Sequence, residues 1–206
     1  ACSGYKCGAR RAATARKAGW TVLPIVQEAW ITPNRFSTQT QGLGQLRRHL
    51  KKACCAGVEL REFARSDAVL SDMRNLAEDW ALRHGGERRL TMGRFDPEYI
   101  TSQRVFLAYA QGELVGFVTF HETQNEWALD LMRYSSEVPQ GTMFLLITDA
   151  IERASAENVA RVSLAATPVR FSNLSPLVPP FYPLFNRPCG GDGLYQFKNA
   201  FRPKWK

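Results

Sequence analysis

Apolar and polar positions along the chain change period several times, and each change predicts an element. Tyr5 to Ala18 is rich in Ala and Arg and contains no strand former, so it reads as a short basic helix ended by Gly19. Trp20 to Val26 (WTVLPIV) has the length and β-branched content of a buried strand, with Pro24 pointing to an edge or a bulge. Thr32 to Gly44 is polar and reads as a loop, and Gln45 to Ala56 as a helix with Arg47, Arg48, Lys51 and Lys52 on its exposed side. Val58 to Phe63 is a candidate short strand. From Ser66 to His84 the residues Leu70, Met73, Leu76, Ala77, Trp80 and Ala81 recur at steps of three and four, the period of a helix face. Ser66 is its candidate N-cap and Gly85-Gly86 its stop; a stripe of this kind is core packing.

The period then shortens. Arg104 to Ala110, Leu114 to His121 and Trp127 to Tyr134 read as strands, joined by a Gln111-Gly112 turn and by Glu122 to Glu126, which makes an antiparallel meander. Thr142 to Glu157 carries Leu146, Ile147, Ala150, Ile151 and Ala154 on one helical face, and Arg161 to Ala166 is a last buried strand. Pro168 to Pro188 holds six prolines and predicts an irregular excursion, before a glycine turn and an aromatic, basic tail from Gly190 to Trp205. The order helix, three antiparallel strands, helix, strand resembles the acetyltransferase-like GNAT fold: α/β, with a mixed, mainly antiparallel sheet flanked by helices. Fold by itself does not give function.

With 206 residues, 45% hydrophobic and 22% charged, the chain has room for one packed domain and little more, and it is neither disordered nor fibrous throughout. The net charge of +8 is uneven. Ala1 to Lys52 holds ten basic residues and one acid, Glu28, for +9; Arg187 to Lys206 holds five and one, for +4; the stretch between them is left at −5. Charge gathered at the two ends suits a polyanion, either nucleic acid phosphates or an anionic lipid surface, and the plainer alternative is a solvated basic face. No window approaches the apolar length of a membrane span, and Lys6, Arg10, Arg11, Arg16 and Lys17 interrupt any signal-peptide core. The chain opens on Ala, which reads as a piece with more sequence upstream. Five cysteines (Cys2, Cys7, Cys54, Cys55, Cys189) without CxxC spacing fit a reducing cytoplasm better than a disulfide framework, and the three histidines have no metal-ligand spacing.

Several motifs fall in a distinctive order. Gly93-Arg94-Phe95-Asp96 with Tyr99 comes first. Leu129-Asp130-Leu131-Met132-Arg133-Tyr134 follows with Pro139, Gly141, Thr142 and Met143, and then Gly193-Leu194, Phe197-Lys198, Phe201, Pro203 and Trp205. Together they resemble the C-terminal catalytic domain of bacterial phosphatidylglycerol lysyltransferases, also called aminoacyl-phosphatidylglycerol synthases. Arg10-Arg11-Ala12, Glu28-Ala29, Phe36-Ser37 and Leu46-Arg47 are similar to the segment leading into that family's second GNAT-like half. The resemblance therefore implies that residues 1–58 are the end of a first GNAT-like half and 59–206 a second. It implies transfer of lysine or alanine from aminoacyl-tRNA to a hydroxyl of phosphatidylglycerol, with no cofactor. The setting it implies is the cytoplasmic side of the inner membrane, as a domain of a longer, membrane-anchored protein. Three places depart from the family pattern: Phe144 stands where an aspartate is common, Ala200 where a second lysine is, and Leu164-Ala165-Ala166-Thr167-Pro168-Val169 where a strand LGxxPL is expected.

Acyl transfer to a hydroxyl needs a proton acceptor and a stabilised oxyanion. Asp130, flanked by Leu129, Leu131 and Met132, is the candidate base. Arg133 is the candidate to grip a phosphate or balance Asp130. Their spacing of three points them to opposite faces of a regular strand, so joint action requires a bulge or a strand end between them; otherwise the two are a structural ion pair. Glu28, the lone acid of the basic segment, suits the donor's ammonium group or pairs with a nearby Arg. Ser37 is a candidate substrate contact or a turn cap, and Lys198 a snorkelling phosphate contact or a solvated lysine. A coenzyme A-dependent acyltransferase remains an alternative, although GNAT enzymes cradle pyrophosphate with a Q/RxxGxG/A loop, where this chain offers one glycine, Gly141, and an acid, Glu137. A non-catalytic module that docks on RNA or an anionic membrane is the other alternative.

Overall fold

The computed structural model describes residues 8–22, 26–86, 93–168 and 191–206. Among them α1 (Ala9–Lys17) precedes β1 (Val26–Ile31), a 3-10 turn at Pro33–Arg35, α2 (Gly44–Cys55), β2 (Glu59–Glu62) and α3 (Asp67–Arg83). After α4 (Pro97–Thr101) come β3 (Arg104–Ala110), β4 (Glu113–Glu122), β5 (Glu126–Tyr134), α5 (Thr142–Ala156) and β6 (Arg161–Pro168), then α6 (Gly191–Asn199) and β7 (Lys204–Trp205). The seven strands form one sheet in the order β2-β3-β4-β5-β6-β1-β7, with every pairing antiparallel except β5 with β6.

The predicted meander and the helices before and after it hold closely. Ser66 caps α3 by accepting the Val69 N–H, and Gln111 (φ 53°) and Gly112 (φ 85°) supply the left-handed pair of the hairpin turn. One expectation fails. The first strand is not at Trp20–Val26 but at Val26–Ile31: its alternation of Ala29 and Ile31 inward with Glu28 and Trp30 outward satisfies β6, whereas Trp20 is exposed and Thr21 and Val22 are unpaired coil. The aromatic, basic tail, for which the sequence pattern predicts no element, contains a helix at Gly191–Asn199 that packs Phe197 on the core. The proline-rich stretch lies beyond Pro168 in residues outside those described, as do Leu23 to Ile25, Cys2, Cys7 and Cys189.

Each sheet face has its own core. The α5 face collects Ala29, Ile31, Phe120, Trp127, Leu129, Val162 and Leu164 under Leu146, Ile147, Ala150, Ile151 and Ala154. On the other face, Met73, Leu76 and Ala77 of α3 and Ile100 of α4 cover Val105, Leu107, Phe117 and Leu131. A fully buried side chain of this size contributes roughly 1.5–3 kcal/mol, so both helical layers are firmly held. β1 and α2, within the basic segment 1–58, are built into the α5-side core through Ala29, Ile31 and Leu46.

The parallel strands β5 and β6 are registered only from Glu126↔Arg161 to Ala128↔Ser163; beyond that they lose their pairing. Past that point each strand carries a bulge, and the candidate residues lie there.

Candidate active site

The β5 bulge is visible in its register with β4. Val118 faces Met132, but Phe120 faces Leu129, so Asp130 and Leu131 together oppose Thr119. The Thr119 hydroxyl accepts the displaced Leu131 N–H at 3.1 Å. Leu129 consequently belongs to the α5-side core and Leu131 to the α3 side. The bulge swings Asp130 and Arg133 to one face, the condition set by their spacing. Both meet the backbone of Gly93: a Cβ there would lie 2.6 Å from Asp130 Oδ1, and Arg133 Nη2 donates to the Gly93 carbonyl at 3.0 Å. Glycine is required at that close approach.

Arg133 is 2% exposed, its guanidinium 4.1 Å above the Trp80 ring and donating also to the Met132 carbonyl. So enclosed, it is not presented to a bulk phosphate. Its contact with Asp130 runs through Gly93, which makes it a positioning group in this conformation.

Asp130 is the more accessible of the two, and Gln103 Nε2 donates to its Oδ2 at 2.8 Å. His121 Nε2 stands 3.7 Å from the same oxygen and hydrogen-bonds the Tyr99 hydroxyl at 2.9 Å. Burial, and then the negative charge of Asp130, push the Tyr99 phenol above its ordinary value and keep it a proton donor. Sequence reasoning gives no part to Gln103, His121 or Ser163. For the first two a signal exists in the hairpin, but simple counting from the Gln111-Gly112 turn is one residue out, because a bulge at Ala108/Tyr109 shifts the β3–β4 register.

The second bulge lies on β6. Glu28 pairs with Ala166 and Trp30 with Ser163, so Leu164 and Ala165 share one partner, and Ala165 takes φ 63°. Ser163 stabilises the distortion: its hydroxyl donates to Glu28 Oε1 at 2.6 Å and accepts the Ala165 N–H at 3.1 Å. The bulge turns the carbonyls of Ala165 and Ala166 toward α6, where Lys198 Nζ donates to them at 3.0 and 3.1 Å. Lys198 is therefore neither solvated nor snorkelling, being 2% exposed. Burial lowers its pKa to about 8, and the charge of Glu28 opposes that shift. Glu28 and Lys198 come together as neighbours of one bulge.

Alternation from the α5-side residues Ala29, Ile31, Val162, Leu164, Trp127 and Leu129 puts Glu28, Ser163 and Asp130 on the opposite sheet face. Across adjacent strands that face reads carboxylate, hydroxyl, carboxylate at the point where β5 and β6 part. Ser37 is apart from it. Its hydroxyl accepts the Gln39 N–H at 3.2 Å, the turn-capping alternative, and it lines a cavity of about 210 Å³ with Trp30, Phe36, Phe201 and Arg202.

Residues 2–206 match the family model described as "Phosphatidylglycerol lysyltransferase, C-terminal". The chain belongs to this family. It is 26% identical to a phosphatidylglycerol lysyltransferase of Bacillus subtilis (strain 168), an alignment covering 91% of this chain and 23% of that relative. Its fold matches the C-terminal domain of a protein from Agrobacterium fabrum described as a putative lysylphosphatidylglycerol synthetase (TM-score 0.77, 23% identity, 96% of this chain and 63% of that one). It also matches L-PGS from Bacillus licheniformis (TM-score 0.76, 20% identity, 95% and 63%). The chain thus spans under a quarter of its curated relative and less than two thirds of these structures. The two structural matches share the mixed, mainly antiparallel sheet architecture described above. Of the departures from the family pattern, Phe144 has an evident part here: it stacks on His49 at 4.1 Å and packs on Phe197 at 4.6 Å, filling the α2–α5–α6 junction.

Proposed function

We propose that this chain transfers lysine or alanine from aminoacyl-tRNA to a hydroxyl of phosphatidylglycerol. We further propose that it does so at the cytoplasmic side of the inner membrane, within a longer, membrane-anchored protein whose first GNAT-like half ends in residues 1–58. Among the described residues no helix is long and apolar enough to cross a membrane, so the anchor is assigned to sequence outside them. The observation that carries the reading is the β5 bulge, which turns Asp130 onto the sheet face shared with Glu28 and Ser163.

In this mechanism the lipid hydroxyl oxygen attacks the carbonyl carbon of the aminoacyl ester while Asp130 takes its proton. The ester C–O bond then breaks, and the departing ribose oxygen recovers the proton from Asp130. Gln103 and the His121–Tyr99 pair orient the carboxylate, and Arg133 fixes the Gly93 backbone against it. Glu28 holds the donor's ammonium group, oriented by Ser163 and balanced by Lys198.

A coenzyme A donor is a poorer fit. GNAT enzymes seat pyrophosphate on the N-terminus of the helix after the splayed strand. Here Gly141 (φ 100°) starts α5, and a Cβ on it would meet the His49 carbonyl oxygen of α2 at 2.0 Å. A carbonyl oxygen in that spot repels a phosphate.

Charged tRNA and vesicles containing phosphatidylglycerol, incubated with the longer protein, should yield aminoacylated lipid that disappears after RNase treatment. Product formed equally from an acyl-coenzyme A, or persisting after RNase, would overturn the reading.

A further inference from the structure

Among the described residues, several cations between Glu59 and Arg161 bond carboxylates, and those of α2 do not. Between Glu59 and Arg161, five arginines reach carboxylates: Arg61 to Glu59, Arg83 to Asp79, Arg104 to Glu122 and Glu157, Arg153 to Glu62, and Arg161 to Glu126. No acid occurs from Ala29 to Val58. On α2, Arg48 reaches the Gly44 carbonyl and Lys52 the side-chain oxygen of Gln140 at 2.9 Å, while Arg47 is turned to the carbonyls of Thr38 and Thr40. Among the described residues none of these cations, nor Lys51, pairs with a carboxylate, so their charge stays uncompensated. The pKa of His49, lowered by burial and then by Lys52 and Arg48, registers that field.

We infer that the exposed ridge Arg48, Lys51 and Lys52 on α2 is where the phosphate backbone of tRNA docks. This rests on the tRNA-dependent reading above and adds the surface. Two observations favour RNA over lipid. The apolar stripe of α2, Leu46 and Ala53, is fully buried, and Leu50 packs on the same core, so the helix has no free apolar face to lay into a bilayer. Its exposed side offers cations without exposed large apolar residues, which suits a contact made of charge alone. The Lys52–Gln140 bond ties the ridge to the loop between β5 and α5, on the α5 side of the sheet.

The test measures binding of uncharged bacterial tRNA to the full chain as salt is raised. The triple variant Arg48→Gln/Lys51→Gln/Lys52→Gln is compared with Arg61→Gln/Arg65→Gln/Arg74→Gln, which removes the same charge elsewhere. The ridge variant should lower the slope of log K against log[salt] by about 2, at roughly 0.7 to 0.9 per phosphate contact. The charge-matched control should keep the wild-type slope, and binding to phosphatidylglycerol vesicles should be unaltered in both. Equal loss in the two variants would make net charge the cause and overturn the ridge. So would loss confined to vesicles, or an unchanged tRNA slope. Thermal melting shows that each variant folds. Should the longer protein make no aminoacyl lipid while the slope still falls, the ridge stands and the proposed reaction fails. Product with an unchanged slope keeps the reaction and removes the ridge.

Discussion

Two bulges on neighbouring strands each enclose one cation, and they treat it differently. On β5, Arg133 lies over Trp80 and donates to the carbonyls of Gly93 and Met132. On β6, Lys198 donates to the carbonyls of Ala165 and Ala166, with Glu28 as the opposing charge nearby. Both are 2% exposed. A guanidinium is weakly hydrated, planar and stays charged when enclosed, whereas an ammonium is strongly hydrated and yields its proton. The β5 cation is thus a fixed strut, and the β6 cation a titrating group beside the carboxylate proposed to hold the donor's amine.

The contrast between the bulges is tested most severely at Asp130. Asp130→Asn keeps the shape and the Gln103 contact but removes the base, so aminoacyl-lipid formation should fall about 10³-fold, within the usual range for a general base, while the melting temperature stays near wild type. A fold-wide loss of stability instead would return Asp130 and Arg133 to a structural ion pair. Arg133→Ala should do the opposite in kind: a cavity under Trp80 and an abandoned Gly93 carbonyl cost about 3–4 kcal/mol in denaturant unfolding, with lost activity following lost structure.

For Lys198 the prediction is one of sign. Its folded pKa of about 8 lies below the ordinary lysine value of 10.5, so the folded chain holds this proton less tightly than the unfolded one. Stability should therefore rise as pH climbs from about 8 toward 10.5, by up to about 3 kcal/mol at 1.36 kcal/mol per pK unit, and be flat in this contribution below 8. Lys198→Met should remove that rise in urea unfolding measured at several pH values. A wild-type curve that falls over the same window would contradict the burial. The smallest effect belongs to Ala165, whose φ of 63° is unfavourable for any residue with a Cβ. Ala165→Gly should change stability by less than about 1 kcal/mol, since released strain offsets added chain entropy and the loss of a methyl packed on the core, and a larger loss in urea unfolding would mean the strain is negligible.

Much of this architecture is legible in the sequence because it is local. The stripe of α3, the Gln111-Gly112 turn and the apolar face of α5 depend on neighbours within a few residues. The first strand misleads because WTVLPIV is more apolar than VQEAWI, and only pairing with β6 reveals why the latter is the strand. Asp130 and Arg133 are recognisable by motif, yet their common face depends on a bulge whose partner, Thr119, lies across the sheet. Glu28 and Lys198 are 170 positions apart in the numbering and meet only because a third strand distorts between them. Gln103, His121 and Ser163 carry no signal outside the register that brings them in.

At Gly141, α2 seats itself against the first turn of α5. As a constraint on inheritance, this is a residue that touches no substrate in the proposed reaction yet admits no neighbour in sequence space. Any Cβ collides with the backbone of another helix, and the conformation is one that other residues rarely adopt. A saturation survey of this chain would accordingly find Gly141 as intolerant as Asp130, and for a reason that has nothing to do with chemistry.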